Sequence, residues 1–262
     1  LIADSYADGM GLGGERPTHW AAADPERGAR IAAAYDAMVN DPSDPLVRAS
    51  WGAMGDETLD QLDLLLDKGY KFDFIPKGGS PYDTPAAALA DLRENQHLSV
   101  FPSEDGFGSI NEAVLNPLLE PVRGFGRRAF GGAPFTRNDA FRAVHDAFGH
   151  APIGATFRAG GEENAFRHHR GMFSDMALPA LTAETRGQNS WVNYGPFGAK
   201  NRTASQEDTV YADQKVGLLP EWVYNEGVDG RKISLEELRK RLAMLLIALA
   251  GAGVGAKASE DA

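Results

Sequence analysis

No cysteine occurs in the 262-residue chain. That absence removes disulfides, catalytic thiols and thiolate metal ligands together, and leaves histidine, aspartate and glutamate as the strong ligands for any metal. Positive charge is short as well: 26 Lys and Arg stand against 37 Asp and Glu, a formal charge of -11. Nonspecific attraction to nucleic acid or to anionic membranes is therefore disfavoured, and a small molecule is the expected partner. The longest apolar run, AMLLIALAGAGVGA near the C-terminus, is too short and too small in side chain to span a bilayer. The first residues, LIADSYADGMG, lack the basic and apolar regions of a signal peptide, so the cytoplasm is the default expectation. Internal repeats and low-complexity tracts are also missing. Residues 1–262 read as a single catalytic-type domain, long enough for a core without staples, with 1–23 as an N-terminal extension.

What is present is mostly helical. Asp24 before Pro25 is an N-cap followed by a first-turn proline, and Ile31, Ala34, Tyr35 and Met38 recur at helical intervals. Asp56 is read as the start of a second helix, with Leu59, Leu62, Leu65 and Leu66 on one stripe and Gly69 ending it. Ser234 and Glu237 form a capping box for a C-terminal helix whose inner face is Leu238, Leu242, Leu245 and Leu249. Two short strands are expected, at 71–76 and 97–102. The fold class is thus mostly α, α+β with a minor β component. Gly9, Gly11 and Gly14 satisfy a dinucleotide fingerprint in form, but no apolar strand precedes them and no helix start follows, so it is set aside.

The chemistry concentrates in FRAVHDAFGHAP, residues 141–152, which holds two of the six histidines. Thr136 and Asp139 make a capping box, so the helix carrying them begins at Arg137. On a regular helix at about 100° per residue, His145 and His150 point about 140° apart, unlike the i, i+4 pair of a zincin. Gly149 and Pro152 are placed to end the helix near His150 and let its ring swing toward the metal that His145 faces. A divalent ion on two imidazoles needs a carboxylate, and Glu162, Glu163, Asp175 and Glu184 follow. Glu184 is favoured, because Leu178 and Leu181 give its segment a stripe that buries it beside the histidine helix. Alone, it reads as a surface glutamate or a partner of Arg186. His168 and His169 read as solvated or as supporting the ligands from behind.

The run His145, Asp146, Ala147, Phe148, Gly149, His150, Ala151, Pro152, followed by Glu184 in a helix, resembles the iron motif of the pterin-dependent aromatic amino acid hydroxylases, H-E-x-x-G-H-x-P and a later glutamate. Asp146 replaces a glutamate that is not a ligand there. The likeness covers about 128–198. It implies a helical catalytic domain, a mononuclear non-heme Fe(2+) centre on His145, His150 and Glu184, dioxygen as cosubstrate, and a tetrahydropterin as reductant. It places Arg128 and Thr136 at the carboxylate of an amino acid substrate, and matches YGPFG at 194–198 to the family's turn beyond the glutamate. Trp191, Tyr194 and Phe197 could wall the pocket or belong to the core. Each ligand histidine should donate its other ring N–H to a carboxylate or carbonyl. Two other readings stand beside the hydroxylase: a metal phosphohydrolase built on the His145-Asp146 doublet, and a noncatalytic module stabilised by a metal.

Overall fold

A computed structural model describes residues 2–12, 17, 19–103, 115–205 and 208–258, with side chains as far as residue 250; Gly14 of the glycine pattern lies outside these. Helix accounts for 59% of the structure and strand for 4%, which is the class expected. Helix α1 (Ile2–Gly9) buries Ala3 and Ala7, so the stretch expected as an extension contributes to a core. Helix α2 (Pro25–Asp36) starts as read, with the Asp24 carboxylate accepting the Arg27 N–H, and it buries Ile31 and Tyr35.

Helix α3 (Pro45–Asp67) corrects the sequence reading. It starts at Pro45, where Asp44 accepts the N–H groups of Leu46 and Val47. This is the same Asp-Pro signal as at 24–25. Asp56 instead lies on the exposed face of the helix interior, 2.7 Å from Arg137. After α3, Gly69 turns the chain at φ +91°, and strands β1 (Lys71–Phe74) and β2 (His97–Val100) pair in parallel with Lys71 opposite His97 and Phe74 opposite Val100. Parallel strands need a crossover, which α4 (Pro85–Glu94) supplies.

The remaining α-helices among the described residues are α5 (Arg137–His145), α6 (Ala159–His169), α7 (Leu178–Thr182), α8 (Gln188–Tyr194), α9 (Gly198–Asn201), α10 (Glu221–Asn225) and α11 (Leu235–Ala258). Buried apolar residues form two clusters. One gathers Tyr35, Trp51, Phe166, Phe173 and Leu181, and the other Leu62, Phe72, Leu98, Phe130 and Phe148. Helices α3 and α5 serve both, with Trp51 and Phe141 in the first and Leu62 and Val144 in the second. The histidines thus hang from the end of a helix clamped on two sides.

Residues 209–222, which carry no periodic signal, form a strap in the first cluster through Ala212, Val216 and Leu219. Tyr35 donates to the Asp213 carbonyl at 2.9 Å and Lys215 to the Asp36 carbonyl at 2.6 Å. In α11, Leu238 is buried, but Leu245 and Leu249 are exposed, so the expected inner face stops after the half-buried Leu242. Among the described residues, no helix is long and apolar enough to cross a membrane.

Candidate metal centre

Both halves of the Thr136–Asp139 capping box are made, and α5 starts at Arg137 as expected. The α-helical pattern then gives way at His145 to a π-helical turn, Asp146–His150, in which the Ala151 N–H reaches the Asp146 carbonyl. An i→i+5 bond stacks residues five apart instead of splaying them. His145 and His150 end with ring centroids 5.1 Å apart and planes at 87°. The swing expected from a helix end at Gly149 is therefore made by a widened turn, and the left-handed residue that stops the chain is Gly154, at φ 66°. Gly149 is needed for close approach. A Cβ there would lie 3.1 Å from the Ala165 carbonyl of α6 and 3.2 Å from Cε1 of His145.

One donor atom each from His145, His150 and Glu162 lies within 4.8 Å of the others. His150 Nδ1–H donates to the Ala155 carbonyl at 3.0 Å, which turns Nε2 toward Glu162 Oε2 at 3.4 Å. His145 faces His169 through its Nδ1 at 3.0 Å, and its Nε2 is buried with no hydrogen-bond partner among the described residues. Such an orphaned nitrogen needs an explanation, and a metal ligand is a sufficient one. Both histidines are under 9% exposed, whereas the Glu162 side chain is 24% exposed, so the trio opens to solvent on the glutamate side.

Electrostatics divide the two rings. Burial, with His150 and His169 beside it, holds His145 well below the usual histidine range, in the neutral form that ligates. Burial also pulls on His150, but the Glu162 hydrogen bond and charge, Asp146 and the Ala155 carbonyl outweigh it and lift the ring to about 9. A divalent cation would take the place of that proton beside Glu162. Burial raises Asp146 to about 7, opposed by His150 and Arg142 and reinforced by Glu162.

Glu184, expected as the third ligand, is not among the three residues whose donor atoms come together; the carboxylate there is Glu162. Glu184 sits in a second π-helical turn, Ala183–Gly187. Its Oε2 accepts from Gln188 Nε2 at 2.7 Å, and that amide also reaches Gln214 Oε1 at 3.1 Å. Burial raises this carboxyl to about 7, opposed by Gln188 and Arg142. Arg186 pairs with Glu163 at 2.7 Å, not with Glu184. Asp175 is engaged by Arg231 and Arg241.

The residues expected at a substrate have the following surroundings. Arg128 is half exposed and bound to Asp63 at 2.9 Å and to Asp67, as a surface arginine. The Thr136 hydroxyl serves its cap and meets Ser103 at 3.3 Å. Trp191 belongs to the first core cluster and donates to Asp36 at 3.3 Å. Tyr194 is half-buried, its ring lying where a Cβ on Gly28 would stand, and Phe197 is exposed. Neither His168 nor His169 is solvated, at 7% and 0% exposure. His168 meets the Phe148 carbonyl at 2.7 Å, and His169 supports His145.

A signal for Glu162 existed in the sequence. Glu162, Phe166 and His169 stand at i, i+4 and i+7, one face of α6. Comparison of the chain with protein-family models, with characterised proteins and with solved structures finds no match.

Proposed function

We propose that the protein is a mononuclear non-heme iron oxygenase, a hydroxylase acting on an amino acid or similar small molecule in the cytoplasm, with His145, His150 and Glu162 as the protein ligands. The observation that carries this reading is the orphaned Nε2 of His145, buried within 4.8 Å of donor atoms of His150 and Glu162. Two imidazoles and one carboxylate are the ligand set of a facial ferrous site with open positions. A bound ferrous ion would supply oxidation by dioxygen with a two-electron reductant, for which the resemblance over 128–198 names a tetrahydropterin.

The chain's own residues would bind and orient. Glu162 borders the solvent side of the trio, and Asp146 lies buried behind it within reach of the His150 charge. Arg142 acts through its charge on Asp146, Glu184 and Tyr211 and donates to the Phe101 carbonyl at 3.0 Å; it is the cation we assign to an acidic group of the substrate. Arg128 is already bound to two aspartates. Asp146 is outside the ligand trio, which favours the oxygenase over the His-Asp phosphohydrolase. Anaerobic titration with Fe(2+) tests the reading. The chain should bind one equivalent, and His145→Ala or His150→Ala should weaken binding by at least about 100-fold. Oxygen uptake across amino acid substrates, with a tetrahydropterin supplied, should then depend on both histidines. Stoichiometric metal with no oxygen uptake under any of these conditions would refute an oxygenase.

A further inference from the structure

Behind the ligand pair lies a chain of buried polar groups that the proposed reaction does not itself require. Gln61, on α3, is 0% exposed, and its Nε2 donates to the Met172 carbonyl at 3.0 Å. That bond fixes the amide, because the flipped orientation would set two oxygens face to face. Gln61 Oε1 is therefore the atom 2.8 Å from His169 Nε2, and that nitrogen must carry a hydrogen. A neutral imidazole has one N–H, so His169 presents a bare Nδ1 to His145 Nδ1 at 3.0 Å. His145 in turn must place its proton on Nδ1. The orphaned Nε2 follows from this sequence of donors and acceptors.

The rings have little freedom to do otherwise. Phe141 stacks on His145 at 5.5 Å and 25°, and Phe173 meets His169 edge-on at 4.8 Å. The two Nδ1 atoms, 3.0 Å apart, leave room for one hydrogen between them, so the rings share a single N–H there. We infer that Gln61 and His169 are positioning residues that set the tautomer of His145 and so aim its Nε2 lone pair into the site. The expected acceptor for a ligand histidine was a carboxylate or a carbonyl; here it is another imidazole, oriented by an amide on a different helix. The link to metal rests on the proposed function, whereas the tautomer assignment stands on the hydrogen bonds alone.

Nitrogen-detected NMR of the histidine rings in the metal-free full chain at neutral pH tests the assignment. His145 should be protonated at Nδ1 only and His169 at Nε2 only; a proton on Nε2 of His145 overturns the inference. His169→Asn keeps an acceptor near Nδ1, and His169→Phe removes it. Phe should release the His145 tautomer and lower Fe(2+) affinity by about 10- to 100-fold, with Asn recovering most of the loss. Gln61→Met, read the same way, should also release the tautomer and weaken binding. It serves if the Phe variant does not fold. Wild-type affinity and an unchanged His145 signal in the folded variants would overturn the relay. The assigned tautomers in a wild-type chain that binds no metal would instead leave the relay standing and remove the proposed function.

Discussion

The two π-helical turns make an instructive pair. Both interrupt a helix with an i→i+5 bond, at Asp146–His150 and at Ala183–Gly187, and both set a glycine where a Cβ would crowd a neighbour, at 3.1 Å for Gly149 and 2.7 Å for Gly187. Their surroundings differ. The first turn packs on α6, whose Glu162 and His169 meet the two histidines directly. The second turns Arg186 into a buried pair with Glu163, while Glu184 is tied to Gln188. The same backbone irregularity thus brings two imidazoles beside a glutamate in one place and leaves a tethered carboxyl in the other. Widening a helix moves a side chain, and the facing element decides its use.

The largest effect expected is on the second turn. Arg186 is 1% exposed, bidentate with Glu163, and donates to the carbonyls of Val223 and Glu226. Arg186→Met leaves Glu163 with only the more distant Arg27, at 3.9 Å, and strands the carbonyls that Arg186 served; it should lower stability by about 3–5 kcal/mol, measured by urea unfolding. The glycines come next. A Cβ on Gly187 would stand 2.7 Å from the ring of the buried Tyr35, closer than the contacts Gly149 would make. Alanine at either site should cost about 1–3 kcal/mol, more at 187. Gly149→Ala alone should also weaken metal binding, because it pushes on the His145 ring.

Under the proposed function, Glu162 beside the first turn and Glu184 in the second have different parts. Glu162→Gln should lower Fe(2+) affinity at least about tenfold, while Glu184→Gln should leave it unchanged; the reverse pattern would return Glu184 to the ligand set. The smallest effect lies outside both turns. Burial pulls on His97, but Asp91 and Asp73 outweigh it and hold its pKa above 6.5. A raised folded value means that this contribution is full below the unfolded pKa and is lost as pH rises through the folded one. The unfolding midpoint of the wild type should fall relative to His97→Gln as pH climbs above 6.5, and parallel midpoints would show that the clamp contributes nothing.

Much of the fold was legible where a local rule acts alone. The caps at Asp24 and Thr136 and both strands follow from neighbours a few residues away. The start of α3 was legible too, since Asp44-Pro45 repeats the signal of Asp24-Pro25, but the leucine stripe after Asp56 is the louder pattern. The two histidines were found by type and spacing, yet the angle between them was set by a π turn that periodicity on a regular helix does not contain. Glu162 rather than Glu184 at the trio depends on how α6 packs against that turn. Gln61 gave no sign at all, because its role exists only once α3, Met172 and His169 are in place. The strap lacks periodicity because residues 209–220 form neither helix nor strand and are held by carbonyls of α2 and their own apolar side chains.

Anomalous scattering at the iron absorption edge, from crystals of the full chain loaded anaerobically with Fe(2+), is the most direct measurement. One peak bonded to Nε2 of His145, Nε2 of His150 and a Glu162 oxygen is the predicted result. A fully loaded crystal with its iron elsewhere, or with His145 Nε2 still unoccupied, would contradict it.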